Sequence, residues 1–225
     1  MVISASRSDA RVRQVLEAAR QAGIPVQRQP DRALDRLVDG ETHQGVIAFV
    51  AGTAYGDADV LLGSVGPSAL FVVLDGVEDA RNLGAVVRTA AAAGAQGVFL
   101  PQHGAAGLTD VAVKVSAGAA ERLPVARVTN IVALLKSLKD KGVWIVGLDR
   151  AGGAAWTSFD LTGPVALVLG GEGKGLRRLA RETCDIVLTI PLAPGVESLN
   201  LSVAAGIGLF EVVRQRQGRP GKKLS

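Results

Sequence analysis

Apolar positions recur along the chain with two periods, and the period changes often enough to mark single elements. From Asp9 to Ala22, the residues Val12, Val15, Leu16, Ala19 and Ala22 repeat at three- and four-residue spacing, which puts them on one face of a helix. Ser8 or Asp9 stands where an N-cap belongs, and Gly23-Ile24-Pro25 ends the helix. Pro25 to Arg28 predicts a short strand, Arg32 to Val38 a second helix, and Gly45 to Val50 a buried strand. These make a small α/β unit. Residues 51–68 are rich in glycine at both ends and hold no sustained periodicity, which predicts a linker.

Beyond residue 68, short apolar runs alternate with helical patterns. Strands are predicted at Leu70–Asp75, Gly97–Leu100, Val125–Val128, Val143–Leu148, Val165–Gly170 and Asp185–Pro191. Helices are predicted at Asn82–Ala93, Asp110–Ala117, from the cap Asn130 to Lys141, at Leu176–Glu182, and from about Leu199 to Gln215. Strands that are apolar without alternation belong in a mostly parallel sheet covered by helices on both faces. The fold class is α/β.

Composition narrows the function classes. Hydrophobic residues make up 48% of the 225, enough for a sizeable core, so a disordered chain is excluded. No apolar run reaches the roughly 18 residues of a membrane span, and the first ten residues lack the pattern of a secretion signal. A soluble, cytoplasmic protein is expected. Cys184 is the only cysteine, and His43 and His103 are the only histidines, which argues against a disulfide framework or a metal cluster. The net charge of +4 is uneven: residues 1–66 carry −1 and residues 67–225 carry +5. Arg214, Arg216, Arg219, Lys222 and Lys223 crowd the end of the chain. Such a tail suits a polyanion, and it equally suits a solvated extension.

Three segments carry candidate chemistry, each following a strand end, where open α/β sheets place ligands. The first holds Asn82 at a helix start and Arg88 six residues later, among Ala85, Val86, Val87, Ala90 and Ala91. An arginine in so apolar a helix calls for a carboxylate or phosphate partner; a helix cap and a surface ion pair are the plain alternative. The second is Leu169-Gly170-Gly171-Glu172-Gly173-Lys174-Gly175, a turn that lets backbone approach a ligand closely. Leu176-Arg177 stands where a P-loop needs Lys-Ser/Thr, so a tight turn without a ligand stays open on this segment alone. The third runs from Ile190-Pro191 through Ser198-Leu199-Asn200-Leu201-Ser202 into an apolar helix containing Gly206 and Gly208. Ser198 is a candidate cap, and a helix this apolar must be buried within the fold or at a subunit interface.

In this order and spacing the three segments resemble the motifs of the SPOUT, or α/β-knot, RNA methyltransferases of the TrmH/RlmB family. The resemblance is dense over residues 70–217, and Thr42-His43-Gln44-Gly45-Val46 matches the end of that family's N-terminal RNA-binding domain. It implies an RNA substrate-binding domain at 1–50, incomplete at its start, a linker at 51–68, a methyltransferase domain at 69–217 and a basic tail at 218–225. It also implies a C-terminal deep trefoil knot, a homodimer, and S-adenosylmethionine as the cofactor, with no metal. Leu169, Gly170, Glu172, Ile190, Leu192 and Leu199 would bind the cofactor. Asn82, Arg88, Glu172, Ser198 and Asn200 would form the reaction centre.

The substrate implied is a ribose 2′-hydroxyl of structured RNA, best matched by a guanosine of 23S rRNA. A tRNA or another rRNA nucleotide, or a non-catalytic assembly role, are the alternatives. The hydroxyl must be oriented and deprotonated. A guanidinium makes a poor proton acceptor, so Arg88 fits better as the holder of an RNA phosphate than as a free base.

Overall fold

The computed structural model describes residues 1–38, 42–49 and 54–218. The chain divides into two compact units, Met1–Ala51 and Gly52–Ser225. In the first unit, β1 (Val2–Ser4) is followed by α1 (Ala10–Gln21), β2 (Gln27–Gln29), α2 (Asp31–Leu37) and β3 (Val46–Ile47). Asp9 is the cap of α1, accepting from the amides of Arg11 and Val12. The sheet runs β2-β1-β3, with β1 parallel to β2 and antiparallel to β3. Ile3, Val12, Ala19 and Leu34 form its buried centre, while Ala22 is exposed. The buried strand expected over Gly45–Val50 shrinks to two half-buried residues, and Phe49 is 65% exposed. The cause is position: β3 is an edge strand with one neighbour, so continuous apolarity does not become burial on both faces. Val50 lies outside the described residues.

The second unit opens with α3 (Ala58–Gly63), capped by Asp57, with Leu61 buried. It lies within the stretch expected to be aperiodic, because one helical turn and a half is too short to show a period. There follow β4 (Leu70–Asp75), α4 (Ala80–Ala92), β5 (Gly97–Pro101), α5 (Asp110–Val115), β6 (Val125–Val128), α6 (Ile131–Asp140) and β7 (Trp144–Leu148). A two-residue β8 (Ala154–Ala155), β9 (Val165–Gly170), α7 (Arg178–Thr183), β10 (Ile186–Thr189) and α8 (Leu201–Gln217) complete it. The seven strands are parallel throughout, in the order β6-β5-β4-β9-β7-β10-β8.

Alternate side chains of β4 explain why its whole run is apolar. Leu70, Val72 and Leu74 face a cluster built with Val86 and Val87 of α4, Ala112 of α5 and Leu209 and Val212 of α8.

 Phe71 and Val73 face the other cluster, with Leu61 of α3, Leu134, Leu135 and Leu138 of α6, and Ala180 of α7. Each buried aliphatic side chain of this kind contributes about 1.5–3 kcal/mol.

The ends of two helices differ from the sequence reading. α4 starts at Ala80 with Asp79 as its cap, so Asn82 lies in the first turn with its side chain free for other contacts. α8 starts at Leu201 with Asn200 as its cap, not Ser198. The burial expected of α8 is also one-sided. Leu201, Ala205, Gly208, Leu209 and Val212 are buried, whereas Val203 and Phe210 are each about half exposed. Gly208 lets the helix lie on the sheet, because a Cβ there would fall 2.5 Å from Leu148 Cδ1.

Two of the five basic residues near the end of the chain belong to α8 and are already engaged. Arg214 holds the buried Glu211 through two 2.7 Å bonds, and this pairing lowers the Glu211 carboxyl below its ordinary value. Arg216 donates to the carbonyls of Ser68, Ala69 and Gly163. Arg219, Lys222 and Lys223 lie outside the described residues.

Candidate active site

Parallel strands all present their carboxyl ends on one side, and a cavity of about 180 Å³ opens there beside β7, β9 and β10. Leu148, Asp149 and Arg150 line it from the end of β7, and Leu169 and Gly170 from the end of β9. The loop after β9 supplies Gly171, Glu172, Gly173 and Gly175, and the segment after β10 supplies Ile190, Leu192, Glu197, Ser198 and Leu199. Leu201 and Ala204 of α8 close the wall. All six residues singled out for cofactor contact therefore lie on one cavity.

The glycine loop is a closed turn. Gly171 and Gly175 exchange two backbone hydrogen bonds of 3.1 Å each. A Cβ at Gly170 would fall 2.0 Å from the Gly175 carbonyl carbon, so no side chain fits at that point in the wall. Two buried carboxylates at strand ends fasten the turn where it leaves toward α7. Asp149 Oδ2 accepts from the Leu176 amide at 2.8 Å, and Asp75 Oδ2 accepts from the Arg177 amide at 3.0 Å. Their other oxygens lie 3.4 Å from Arg181 Nη1 and 3.5 Å from Arg177 Nη1 respectively. Burial raises the Asp75 carboxyl above its ordinary value, with the Arg177 amide and guanidinium opposing that shift.

A chain of polar side chains ties the three motifs together. Asn82 Nδ2 donates to Glu172 Oε1, and Asn200 Nδ2 donates to Asn82 Oδ1 at 3.0 Å. Asn200 Oδ1 in turn accepts from the amide and hydroxyl of Ser202, at 2.8 and 2.6 Å. A carboxylate only accepts, so Glu172 sets the orientation of the Asn82 amide, and Asn82 sets that of Asn200. Ser198 lines the cavity and is exposed. Arg88 is exposed on α4 and stands apart from this network, with no hydrogen-bond or ion-pair partner among the described residues.

Asp75, Asp149 and Arg177 were not among the candidates drawn from the sequence. The available signal was a carboxylate closing an apolar strand, in Leu74-Asp75 and Leu148-Asp149. Among the described residues, no group of three or more His, Cys, Asp or Glu side chains is arranged to hold a metal ion. No described helix is long and apolar enough to cross a membrane.

The glycine turn, the polar chain and the largely apolar cavity thus meet at the carboxyl edge of one parallel sheet, an arrangement suited to group transfer. Residues 69–210 match the model of the SpoU rRNA Methylase family, and residues 1–56 match the model for RNA 2′-O ribose methyltransferase substrate binding. The chain belongs to the SpoU rRNA methylase family and is an RNA 2′-O-ribose methyltransferase.

Among its relatives is the 23S rRNA (guanosine-2′-O-)-methyltransferase RlmB of Photobacterium profundum, 49% identical over 94% of this chain and 87% of that protein. A putative TrmH family tRNA/rRNA methyltransferase, YacO of Bacillus subtilis, is 44% identical over 90% of this chain and 82% of that protein. The crystal structure of the SpoU methyltransferase AviRb from Streptomyces viridochromogenes, in complex with the cofactor AdoMet, superposes with a TM-score of 0.78. It is 26% identical and covers 97% of this chain and 83% of that one.

Proposed function

We propose that this enzyme methylates the 2′-hydroxyl of a guanosine in 23S rRNA, using S-adenosylmethionine. The observation that carries the reading is the Glu172–Asn82–Asn200 chain beside the cavity, joining all three motifs at one strand edge. The identity of 49% to a relative bearing the 23S rRNA guanosine name supports the choice of RNA. In this reading residues 1–50 bind the RNA, residues 69–217 carry the reaction, and the protein works in the cytoplasm.

The cavity fits the cofactor chemically. Leu148, Leu169, Ile190, Leu192 and Leu199 offer apolar contact, and the backbone of Gly170, Gly171 and Gly173 lines the cavity beside them. When bound, S-adenosylmethionine supplies a methyl group made electrophilic by its sulfonium. The protein's own task is to orient the ribose and relieve its hydroxyl of a proton. Arg88, unpaired and exposed, holds the adjoining RNA phosphate, which accepts that proton. Asn200 and Ser198 orient the ribose, and Glu172 keeps Asn82 and the glycine turn in register.

Two further features belong to the same reading. The segment after β9 forms a deep trefoil knot, supported by the insertion of β9 and β10 between strands laid down earlier in the chain. The enzyme is a homodimer, supported by the exposed apolar residues Val203 and Phe210 on α8. Mapping 2′-O-methyl groups in rRNA from cells with and without the gene tests the substrate. One guanosine of 23S rRNA should lose its mark. A mark lost only from tRNA would overturn the choice.

A further inference from the structure

The Thr42-His43-Gln44-Gly45-Val46 segment of the first unit takes no part in the cofactor cavity. Because β1 and β2 run parallel and β3 antiparallel, the exits of β1 and β2 and the entry to β3 share one end of that small sheet. Hydrogen bonds join the segments there. Ser6 Oγ donates to Asp31 Oδ2 at 2.6 Å, and Arg7 Nη1 donates to the Gln44 carbonyl at 3.1 Å. His43 Nδ1 accepts from the Gly45 amide at 3.0 Å, and its Nε2 meets Asp35 Oδ1 at 3.0 Å. Hydrogen bonds from the Ser4 and Ser6 hydroxyls hold the Asp31 carboxyl below its ordinary value, against the opposing effect of burial.

Two details go beyond what a connecting turn requires. Gln44 has φ +50°, a left-handed conformation that glycine or asparagine adopts at less cost. Its side chain is nevertheless exposed and has no hydrogen-bond partner among the described residues, so folding draws nothing from it. Backbone conformations of this kind cluster at ligand-contacting sites, and here the residue that adopts one carries a free carboxamide, unlike Ala117, which shares the angle. Arg7 lies against Gly45, where a Cβ would fall 2.6 Å from Arg7 Cδ. The contact holds the stem of Arg7, while its guanidinium makes no ion pair within contact distance among the described residues and keeps N–H groups turned to solvent.

We propose that Arg7 and Gln44 form a nucleotide-contact site for the RNA substrate. The Arg7 guanidinium pairs with a backbone phosphate, and the Gln44 carboxamide hydrogen-bonds the base edge of an adjacent unpaired nucleotide. The site rests on the RNA reading of the enzyme, and the match of residues 1–56 to a substrate-binding model agrees with its location.

Binding of the full-length protein to an in vitro transcript of large-subunit rRNA tests the proposal, by filter binding at one fixed salt and then over a salt series. Arg7→Met keeps the packing on Gly45 and removes the charge; it should weaken RNA binding about tenfold and make the salt dependence shallower by about one phosphate. Gln44→Gly should weaken binding about fivefold while leaving Tm unchanged or higher, because the left-handed conformation suits glycine. Arg20→Met, at the far end of α1, removes the same charge as a control and should change binding less than twofold. Binding by Arg7→Met and Gln44→Gly within twofold of the parent, or an equal loss in Arg20→Met, would overturn the site. Should the parent bind the transcript and transfer no tritium from labelled S-adenosylmethionine, the methylation reading fails, while the predicted losses in the variants would still uphold the site.

Discussion

Arg88 is exposed, unpaired among the described residues and carried on a helix whose neighbouring positions are apolar. If it holds the substrate phosphate, Arg88→Ala should slow methyl transfer by about a hundredfold or more. The dissociation constant for S-adenosylmethionine should stay within twofold, since Arg88 does not line the cavity. Calorimetry beside a tritium-transfer assay reads both, and turnover within a few-fold of the parent would remove Arg88 from the mechanism. Asp75 offers a test by pH. Its folded carboxyl is raised above the ordinary 3.8, so its ionisation is disfavoured in the folded state. The stability attached to its protonated form is fully present below the unfolded value and is lost as pH rises through the raised one. Asp75→Asn does not ionise, so thermal melts should show the variant gaining on the parent as pH climbs through that window. A difference that stays flat with pH would contradict the raised value.

At the scale of elements, the glycine turn closes on itself through Gly171 and Gly175, and strand-end carboxylates of the two flanking strands fasten its exit. Asp149→Ala leaves the Leu176 and Ala151 amides without their acceptor and removes the ion-pair partner of Arg181, which keeps only the Ala151 carbonyl. The loss should cost about 1–3 kcal/mol of stability and weaken S-adenosylmethionine binding about tenfold, measured by denaturant melts and calorimetry. Undiminished cofactor affinity would mean that the turn keeps its shape unaided. The turn itself was legible in the chain because glycines at close spacing after an apolar strand have few other uses. Its anchors were not, because a single aspartate at a strand end looks the same whether it faces water or a backbone amide. The same limit applies to helix starts. Asp79 and Asn82 are both acceptable caps by type, and only the packed structure shows that Asp79 takes the role and frees Asn82 for Glu172 and Asn200. The parallel sheet was legible from the apolar runs; β3 was legible as a strand but read too long, and the two-residue edge strand β8 was not read at all, since two residues carry no period.

For the whole molecule, α8 is the open question that the second unit poses to a partner. Its buried side is committed to the sheet and α4, and Val203 and Phe210 remain on the surface. A homodimer should show in light scattering as a mass near twice the 23.1 kDa of one chain. Phe210→Glu should shift it toward the monomer with little loss of chain stability, because that side chain is already half exposed. A parent that is monomeric and active would contradict the homodimer.

The place of β9 also has a consequence for how the molecule is made. β9 is bonded to β4 on one side and β7 on the other, with Leu70 opposite Val165 and Trp144 opposite the same residue. During synthesis from the N-terminus, the earlier strands emerge well before the one that belongs between them. Until then β6, β5 and β4 can pair with one another, but β4 has an open inner edge and β7 has no strand partner at all, since both of its neighbours, β9 and β10, come later in the chain. The last fifth of the chain to leave the ribosome, β10 and α8 included, must then be laid in after β9 is in place. Folding of this unit is therefore a late event, set by long-range pairing more than by local helix formation, and its nascent chains are natural clients for chaperones.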